Sequence, residues 1–335
     1  MRVATPAWWY LRHSAKWPVV RLLRPLSWIW ARVTARRLQR STPFDPGVPV
    51  ICVGNVTMGG SGKTPVVRAL ASHFQALGVE CHVLMRGYGG REPGPRRVRA
   101  TDSVDDVGDE ALMLAQTSPV WIAKNRATGA EAAAAAGAQI ILMDDGFQNP
   151  TVLKALSILV IDGETRDHQW PFGNGLVFPA GPMREPLSAG LRRADVAIVV
   201  LPGDLEHMDP AVTEVLAGCD RLTAHLAPTT SPPPGKQMGF AGLAKPWKMQ
   251  RALKAAGCDL VDFVSLPDHA KLSEAGLRRL AARAKSLGAE MLTSEKDWMR
   301  LPLSWRERIS FWPVAVRFDD EIALGRLLQS IISRP

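Results

Sequence analysis

Residues 53–67, VGNVTMGGSGKTPVV, constrain this chain more than any other segment. Val50, Ile51, Cys52 and Val53 form a short apolar run of the kind that makes a strand buried on both faces of a parallel sheet. Gly54, Gly59, Gly60 and Gly62 then give a backbone able to take positive φ and wrap an anion closely. Pro65 is tolerated in a first helical turn, and Val66, Val67, Ala69, Leu70 and Phe74 recur at helical spacing, so a helix is predicted from near Lys63. The free N–H groups and positive dipole end of that helix suit a polyphosphate. Lys63 would reach the β/γ-phosphates and Thr64 would ligate Mg²⁺. Thr57 stands where the pattern G-x-x-x-x-G-K-[ST] has its first glycine, and Gly59 and Gly60 supply the flexibility instead. The expected phosphate site is therefore Gly54, Thr57, Gly59, Gly60, Ser61, Gly62, Lys63 and Thr64.

Net charge is +9, and its location matters more than its size. Residues 1–40 carry nine basic residues, from Arg2 to Arg40, and no Asp or Glu, which leaves the remainder balanced at 32 basic and 32 acidic. The same arm holds Trp8, Trp9, Trp17, Trp28 and Trp30. Val19, Leu22, Leu23, Leu26, Ile29, Trp30 and Val33 fall on one helical stripe, with Arg21, Arg24 and Arg32 opposite. That pattern predicts a helix lying in an anionic bilayer interface rather than one bound to nucleic acid. Pro18 and Pro25 are expected to kink or divide it. No uncharged run is long enough to span a bilayer, and no signal-peptide pattern is present. Cys52, Cys81, Cys219 and Cys258 are far apart, which excludes a C-x-x-C metal or redox site and fits a reducing compartment.

Along the chain, apolar strands alternate with helical segments, the signature of a doubly wound α/β fold with ligand loops at the carboxyl ends of the strands. The expected architecture is a P-loop NTPase-like parallel-sheet domain at 41–154 and a second, smaller α/β domain at 155–315. The arm at 1–40 precedes them, and a final helix within 316–335 would join either domain. The run IILMDD places Asp144 and Asp145 at the end of a buried strand, the usual position of a carboxylate partner to a phosphate loop.

The chain at this point resembles the tetraacyldisaccharide 4'-kinases, the lipid A 4'-kinases of Gram-negative inner membranes. The resemblance rests on GNVTMGGSGKTP at 54–65, MRGYGG at 85–90, GDE at 108–110, DDGFQN at 144–149, FPAGPMREP at 178–186, PDH at 267–269 and TSEKD at 293–297. It implies Mg²⁺-dependent transfer of the ATP γ-phosphate to the 4'-hydroxyl of a lipid A disaccharide 1-phosphate. The site would be the cytoplasmic face of the inner membrane, with the protein peripheral on its anionic surface and no obligate protein partner. Residue by residue, it implies Asp109 as general base on the hydroxyl, with His269 orienting it or sharing the proton. Lys63 would serve catalysis as well as phosphate binding. Glu110 would join Asp144, Asp145 and Thr64 on the metal side. Arg184 would hold a phosphate oxygen bidentately. Glu185, Asn125 and Arg126 are the further substrate or nucleotide contacts. Two positions depart from the family pattern: Ala270 follows PDH, where a polar residue or histidine is expected, and Asn149 follows DDGFQ, where histidine is frequent.

The main alternative is a membrane-associated P-loop ATPase or GTPase switch, or a metallochaperone. It would share 53–67 and 144–145 but has no use for GDE, His269 or the basic, aromatic arm, and no N-K-x-D guanine motif is present. A membrane adaptor with a decayed site is the third class, and the intact Gly-Lys-Thr and acidic pair argue against it.

Overall fold

The computed structural model describes residues 6–60 and 62–332. Ser61, expected in the phosphate site, and Arg2 of the basic arm lie outside them. The chain divides into two compact units: Ala227–Ala315, and the described residues of Thr5–Leu226 with Val316–Pro335.

Thirteen strands are found among the described residues: β1 (Val50–Gly54), β2 (Cys81–Met85), β3 (Arg96–Arg97), β4 (Val120–Ile122), β5 (Ile140–Asp144), β6 (Leu156–Asp162), β7 (Val196–Pro202), β8 (Arg221–Pro228), β9 (Gln237–Ala241), β10 (Leu260–Ser265), β11 (Glu290–Ser294), β12 (Ser310–Trp312) and β13 (Val314–Phe318). Nine of them form one sheet in the order β13-β8-β7-β6-β1-β5-β2-β4-β3. Its centre is parallel, and β3 closes one edge antiparallel to β4. Ile51, Cys52 and Val53 of β1 are fully buried, as a central parallel strand covered on both faces requires.

The boundary expected at 154/155 does not fall there. β6 pairs directly with β1, Ile51 opposite Leu156 and Val53 opposite Ile158, and β7 and β8 extend the same sheet. An apolar strand after a turn looks the same whether it starts a new sheet or enlarges the old one, and pairing register alone decides. The smaller unit has its own parallel sheet, β10-β9-β11-β12. Met238, Phe240, Leu277, Met291 and Trp305 pack together in its core. The last helix, Glu321–Ile332, groups with the larger unit.

Helix α1 (Pro18–Arg40) is unbroken. Pro18 sits in its first turn, where a missing N–H costs nothing, and Pro25 is accommodated inside it rather than dividing it. Val20 and Ser27 are buried, and Ser27 Oγ accepts a hydrogen bond from Ala180 N at 3.0 Å. Leu22, Leu26, Ile29 and Val33 are all more than half exposed, Leu22 at 79%. Most of the apolar stripe thus faces away from the protein, with Trp30 at its edge packed on Phe178, and a narrower seam one residue round the helix does the packing. No helix among the described residues is long and apolar enough to cross a membrane.

Candidate active site

The site lies at the carboxyl ends of β1 and β5, where a doubly wound sheet opens a crevice. After β1 the chain reverses through Gly62, whose φ of 77° is left-handed and strained for any residue with a Cβ. Helix α2 (Lys63–Ala76) starts immediately after it, with no acidic residue in its first turn, so its N–H groups remain available to an anion. Thr64 is buried at that start, and Lys63 is nearly so, its side chain 13% exposed. Thr57 bridges antiparallel to Met183, tying the phosphate loop to the segment that carries Arg184.

Lys63 Nζ lies 3.4 Å from Asp145 Oδ1, and Arg184 Nη1 donates to the same oxygen at 2.7 Å. One carboxylate therefore gathers two cations. Loss of solvent around Asp145 would raise its pKa, but the charges of Lys63 and Arg184 outweigh that and hold this carboxyl, whose side chain is still 44% exposed, below the ordinary range. Asp145 also takes a left-handed φ of 52°, turning its side chain out of the line of β5.

Asp144 behaves in the opposite way. It is 3% exposed, and burial, followed by the charge of Glu110, pushes its pKa up to about 7. Its Oδ1 has no hydrogen-bond partner among the described residues. A buried carboxylate oxygen without a donor, with a second carboxylate close enough to raise its pKa, is the donor set a hard divalent cation satisfies. Among the described residues no three carboxylate, imidazole or thiol groups converge on one metal position.

Asp109 is placed by interlocking glycines. Gly108 has φ 91°, and a Cβ there would lie 2.5 Å from Tyr88 O, so the RGYGG loop and the GDE turn can pack only without that side chain. Asp109 follows as the first residue of the helix Asp109–Leu114, 3% exposed, with Oδ1 accepting from Glu110 N at 2.9 Å.

Arg126 is buried beside the acids. Burial pulls its pKa down to about 10 against the opposing charge of Asp145, with Arg86 and Asp144 also within electrostatic reach. Asn125 caps the helix Arg126–Ala135 by accepting from Ala127 N. Glu185, expected at the substrate, is surrounded by protein donors. It is 2% exposed and is gripped at both oxygens by Arg193, at 2.6 and 2.8 Å, and by Gln148 at 2.9 Å. A carboxylate so fully engaged is better placed to position its neighbour Arg184 than to bind a ligand.

Three further residues serve the site and were not singled out from sequence. Gln148 donates to Asn55 O and Glu185, and its Oε1 lies 3.3 Å from Arg184 Nη1. Lys154 Nζ donates to Gly146 O and Phe147 O at 2.9 and 3.2 Å, fixing the turn after Asp145. Tyr10 donates to Met58 O at 2.8 Å, linking the arm to the phosphate loop. Gln148 lay inside the quoted DDGFQN motif, whereas nothing local marks Lys154 or Tyr10.

His269 belongs to the smaller unit. Arg300 Nη2 is 3.0 Å from its Nδ1, Lys296 Nζ is 3.3 Å from its Nε2, and its backbone N–H donates to Gly242 O at 3.1 Å.

A parallel sheet, a left-handed glycine before a Lys-Thr helix start and strand-end acids define a P-loop NTPase-like α/β protein. The model of the tetraacyldisaccharide-1-P 4'-kinase family matches residues 19–333. The chain is 57% identical over 330 residues to a tetraacyldisaccharide 4'-kinase of Phenylobacterium zucineum (strain HLK1), covering 98% of this chain and 99% of that one. It is 54% identical over 333 residues to the enzyme of the same name from Caulobacter sp. (strain K31), at 99% of each. The fold is similar to the crystal structure of the "apo" form of LpxK from Aquifex aeolicus in complex with ATP. There the TM-score is 0.72 and the identity 24%, over 94% of this chain and 99% of that one. The chain belongs to the tetraacyldisaccharide-1-P 4'-kinase family.

Proposed function

We infer that this protein transfers the γ-phosphate of ATP to the 4'-hydroxyl of a tetraacyldisaccharide 1-phosphate, a step of lipid A synthesis. The observation that carries the reading, beside family membership, is the convergence of Lys63 and Arg184 on Asp145 next to a buried, metal-ready Asp144. The free helix start of α2 receives the β-phosphate, and Lys63 follows the γ-phosphate as charge moves onto its oxygens. Arg184 leaves its single contact with Asp145 for two parallel contacts with phosphate oxygens. Asp144 and Thr64 would hold Mg²⁺ directly, with Glu110 and Asp145 reaching it through water, and the bound ion would neutralise the phosphate charge and align the transferring group. Asp109 accepts the hydroxyl proton as the new P–O bond forms, and His269 is the second residue assigned to proton handling. Arg126 balances the acids from beneath, and Asn125 fixes the start of the helix that carries it.

The outward apolar face of α1, flanked by arginines, would rest in the cytoplasmic face of the inner membrane, where an acyl-chain substrate is found. Incubation with labelled ATP, Mg²⁺ and a panel of acceptors tests the reading: the tetraacyldisaccharide 1-phosphate, a nucleoside, a simple sugar and water. Label is expected only in the lipid. Phosphate release to water at the same rate without the lipid would remove the kinase.

A further inference from the structure

A cleft of about 390 Å³ lies between the segment just before α1 and the turn after β6, and it shares no residue with the phosphate loop or with Asp109, Asp144 or Asp145. Arg12, His13 and Lys16 line it from the first segment, and Thr165, His168 and Trp170 from the second. The one carboxylate among the lining residues, Asp209, caps the helix Pro210–Val215 by accepting from Ala211 N at 2.8 Å. Glu164 and Asp204, acids close in sequence to the cleft residues, are held by Arg166 at 2.8 and 2.6 Å. The turn Arg12–Lys16 is pinned to the body through Ser14, which is fully buried and accepts from Asn174 Nδ2 at 3.3 Å.

The Arg12 guanidinium lies 4.4 Å from the centre of the Trp170 ring, and Trp170 is itself buried. Stacking uses the flat face of the guanidinium and leaves its in-plane N–H groups to donate. Arg12 and Lys16 are exposed, and neither is paired with a carboxylate among the described residues. Asp167 and His168 take left-handed φ values of 55° and 62°, so the chain doubles back there and sets the imidazole on the cleft. Two permanent cations, two imidazoles able to donate and the Thr165 hydroxyl around one open space suit a tetrahedral oxyanion, phosphate above all. What adjoins the cleft names the source. Trp17, Val19 and Leu22, at 38%, 48% and 79% exposure, begin the outward apolar face directly after Lys16. With that face in a bilayer interface, the cleft stands at the depth of the lipid phosphates.

We propose that this cleft binds the phosphate of one anionic phospholipid, a contact distinct from the insertion of α1. Arg12, held flat by Trp170, donates along one edge to two phosphate oxygens, and Lys16 adds a point charge. An amphipathic helix alone can roll and slide in an interface. A headgroup clamped beside its first turn fixes which side of the protein meets the membrane. The choice of a lipid source rests on the reading that α1 lies in a bilayer, whereas the phosphate-binding donor set stands without it.

The test is calorimetric titration of the full chain with dihexanoyl phosphatidylglycerol below its critical micelle concentration. One saturable site is expected, and its absence overturns the proposal. Arg12→Gln and Lys16→Gln should each weaken binding by about fivefold or more. Arg12→Lys keeps the charge but not the planar fork, and should weaken it by about threefold or more. Arg36→Gln removes the same charge from an exposed position farther along α1 and should change it by less than about 1.5-fold. Equal losses for Arg36→Gln and Arg12→Gln, or wild-type binding by Arg12→Lys, would reduce the cleft to diffuse surface charge. Inorganic phosphate and glycerol 3-phosphate form the second arm, and either binding as tightly as the lipid overturns the lipid assignment. The third arm is turnover with the acceptor in neutral detergent micelles, where Arg12→Gln should leave KM for the acceptor within about twofold. A larger rise would give the cleft to the acceptor's own phosphate and overturn the proposal. Lys16→Gln alters an exposed side chain and keeps the test readable if Arg12→Gln fails to fold. Because the probe is monomeric, the titration decides the cleft even if α1 proves not to enter membranes.

Discussion

Lys63 and Asp145, eighty-two positions apart in sequence, meet at 3.4 Å because β1 and β5 are neighbours in register, Val53 opposite Asp144. The lysine of the phosphate loop is thereby pre-aimed at the crevice, with Asp145 standing where phosphate oxygens will compete for it. Lys63→Ala should reduce transfer by about 10²-fold or more, since a charge that follows the γ-phosphate acts mainly in the transition state. Steady-state kinetics with the lipid acceptor checks this, and a variant of normal turnover would strip Lys63 of its assigned role.

Asp109→Ala should lower kcat by about 10² or more while leaving KM for ATP within about threefold, because the base acts on the acceptor and not on the nucleotide. The side chain is small and sits in the first turn of a short helix, so the variant should fold. An unchanged kcat would take the general base away from this residue.

Asp144 gives a pH prediction. Its folded pKa is about 7, against roughly 3.9 for an unfolded Asp. Between those values the folded state keeps a proton that the unfolded state has lost, so stability falls as pH rises from about 4 to about 7 and is level above. Asp144→Asn removes that loss. In EDTA the variant should be more stable than the wild type at pH 8, by up to about 4 kcal/mol, with the gain vanishing near pH 4. Chemical denaturation at the two pH values reads it. A variant less stable at pH 8 would mean that Asp144 is not held under strain for a metal.

The exposed face of α1 should bind lipid. Leu22→Glu with Ile29→Glu changes side chains that are 79% and 52% exposed, leaving the packing at Val20 and Ser27 intact. Each burial in lipid is worth about 1.5–3 kcal/mol, so sedimentation with phosphatidylglycerol vesicles should fall by more than tenfold. Equal binding by the double variant would refute the anchor. Deleting residues 1–40 is a poorer test, since it also removes the Trp30 Nε1 contact to Arg184 O, the Arg37 contact to Gln148 O and the Tyr10 contact to Met58 O.

Much of the centre was legible locally. The buried run 50–53, the Lys-Thr helix start and the strand ending at Asp144 are each set by neighbours within a few residues, and each appears where expected. The expected split at 155 failed because β6 carries no mark of which sheet it will join. The surroundings of Glu185 were hidden for a similar reason. An Arg-Glu pair in a loop reads as two ligands for substrate, and only the approach of Arg193 and Gln148 shows the glutamate already satisfied.

What the sequence alone determined was chemistry at short range: a phosphate loop, acids at a strand end, a basic aromatic helix and the motifs that mark the family. Tertiary structure decided which charges meet. It set Asp144 and Asp145, adjacent in the chain, on opposite sides of their ordinary titration, one facing Glu110 without a cation bonded to it and the other facing Lys63 and Arg184. The reason is that solvation and pairing depend on distances across strands and turns, which packing fixes and residue order leaves open.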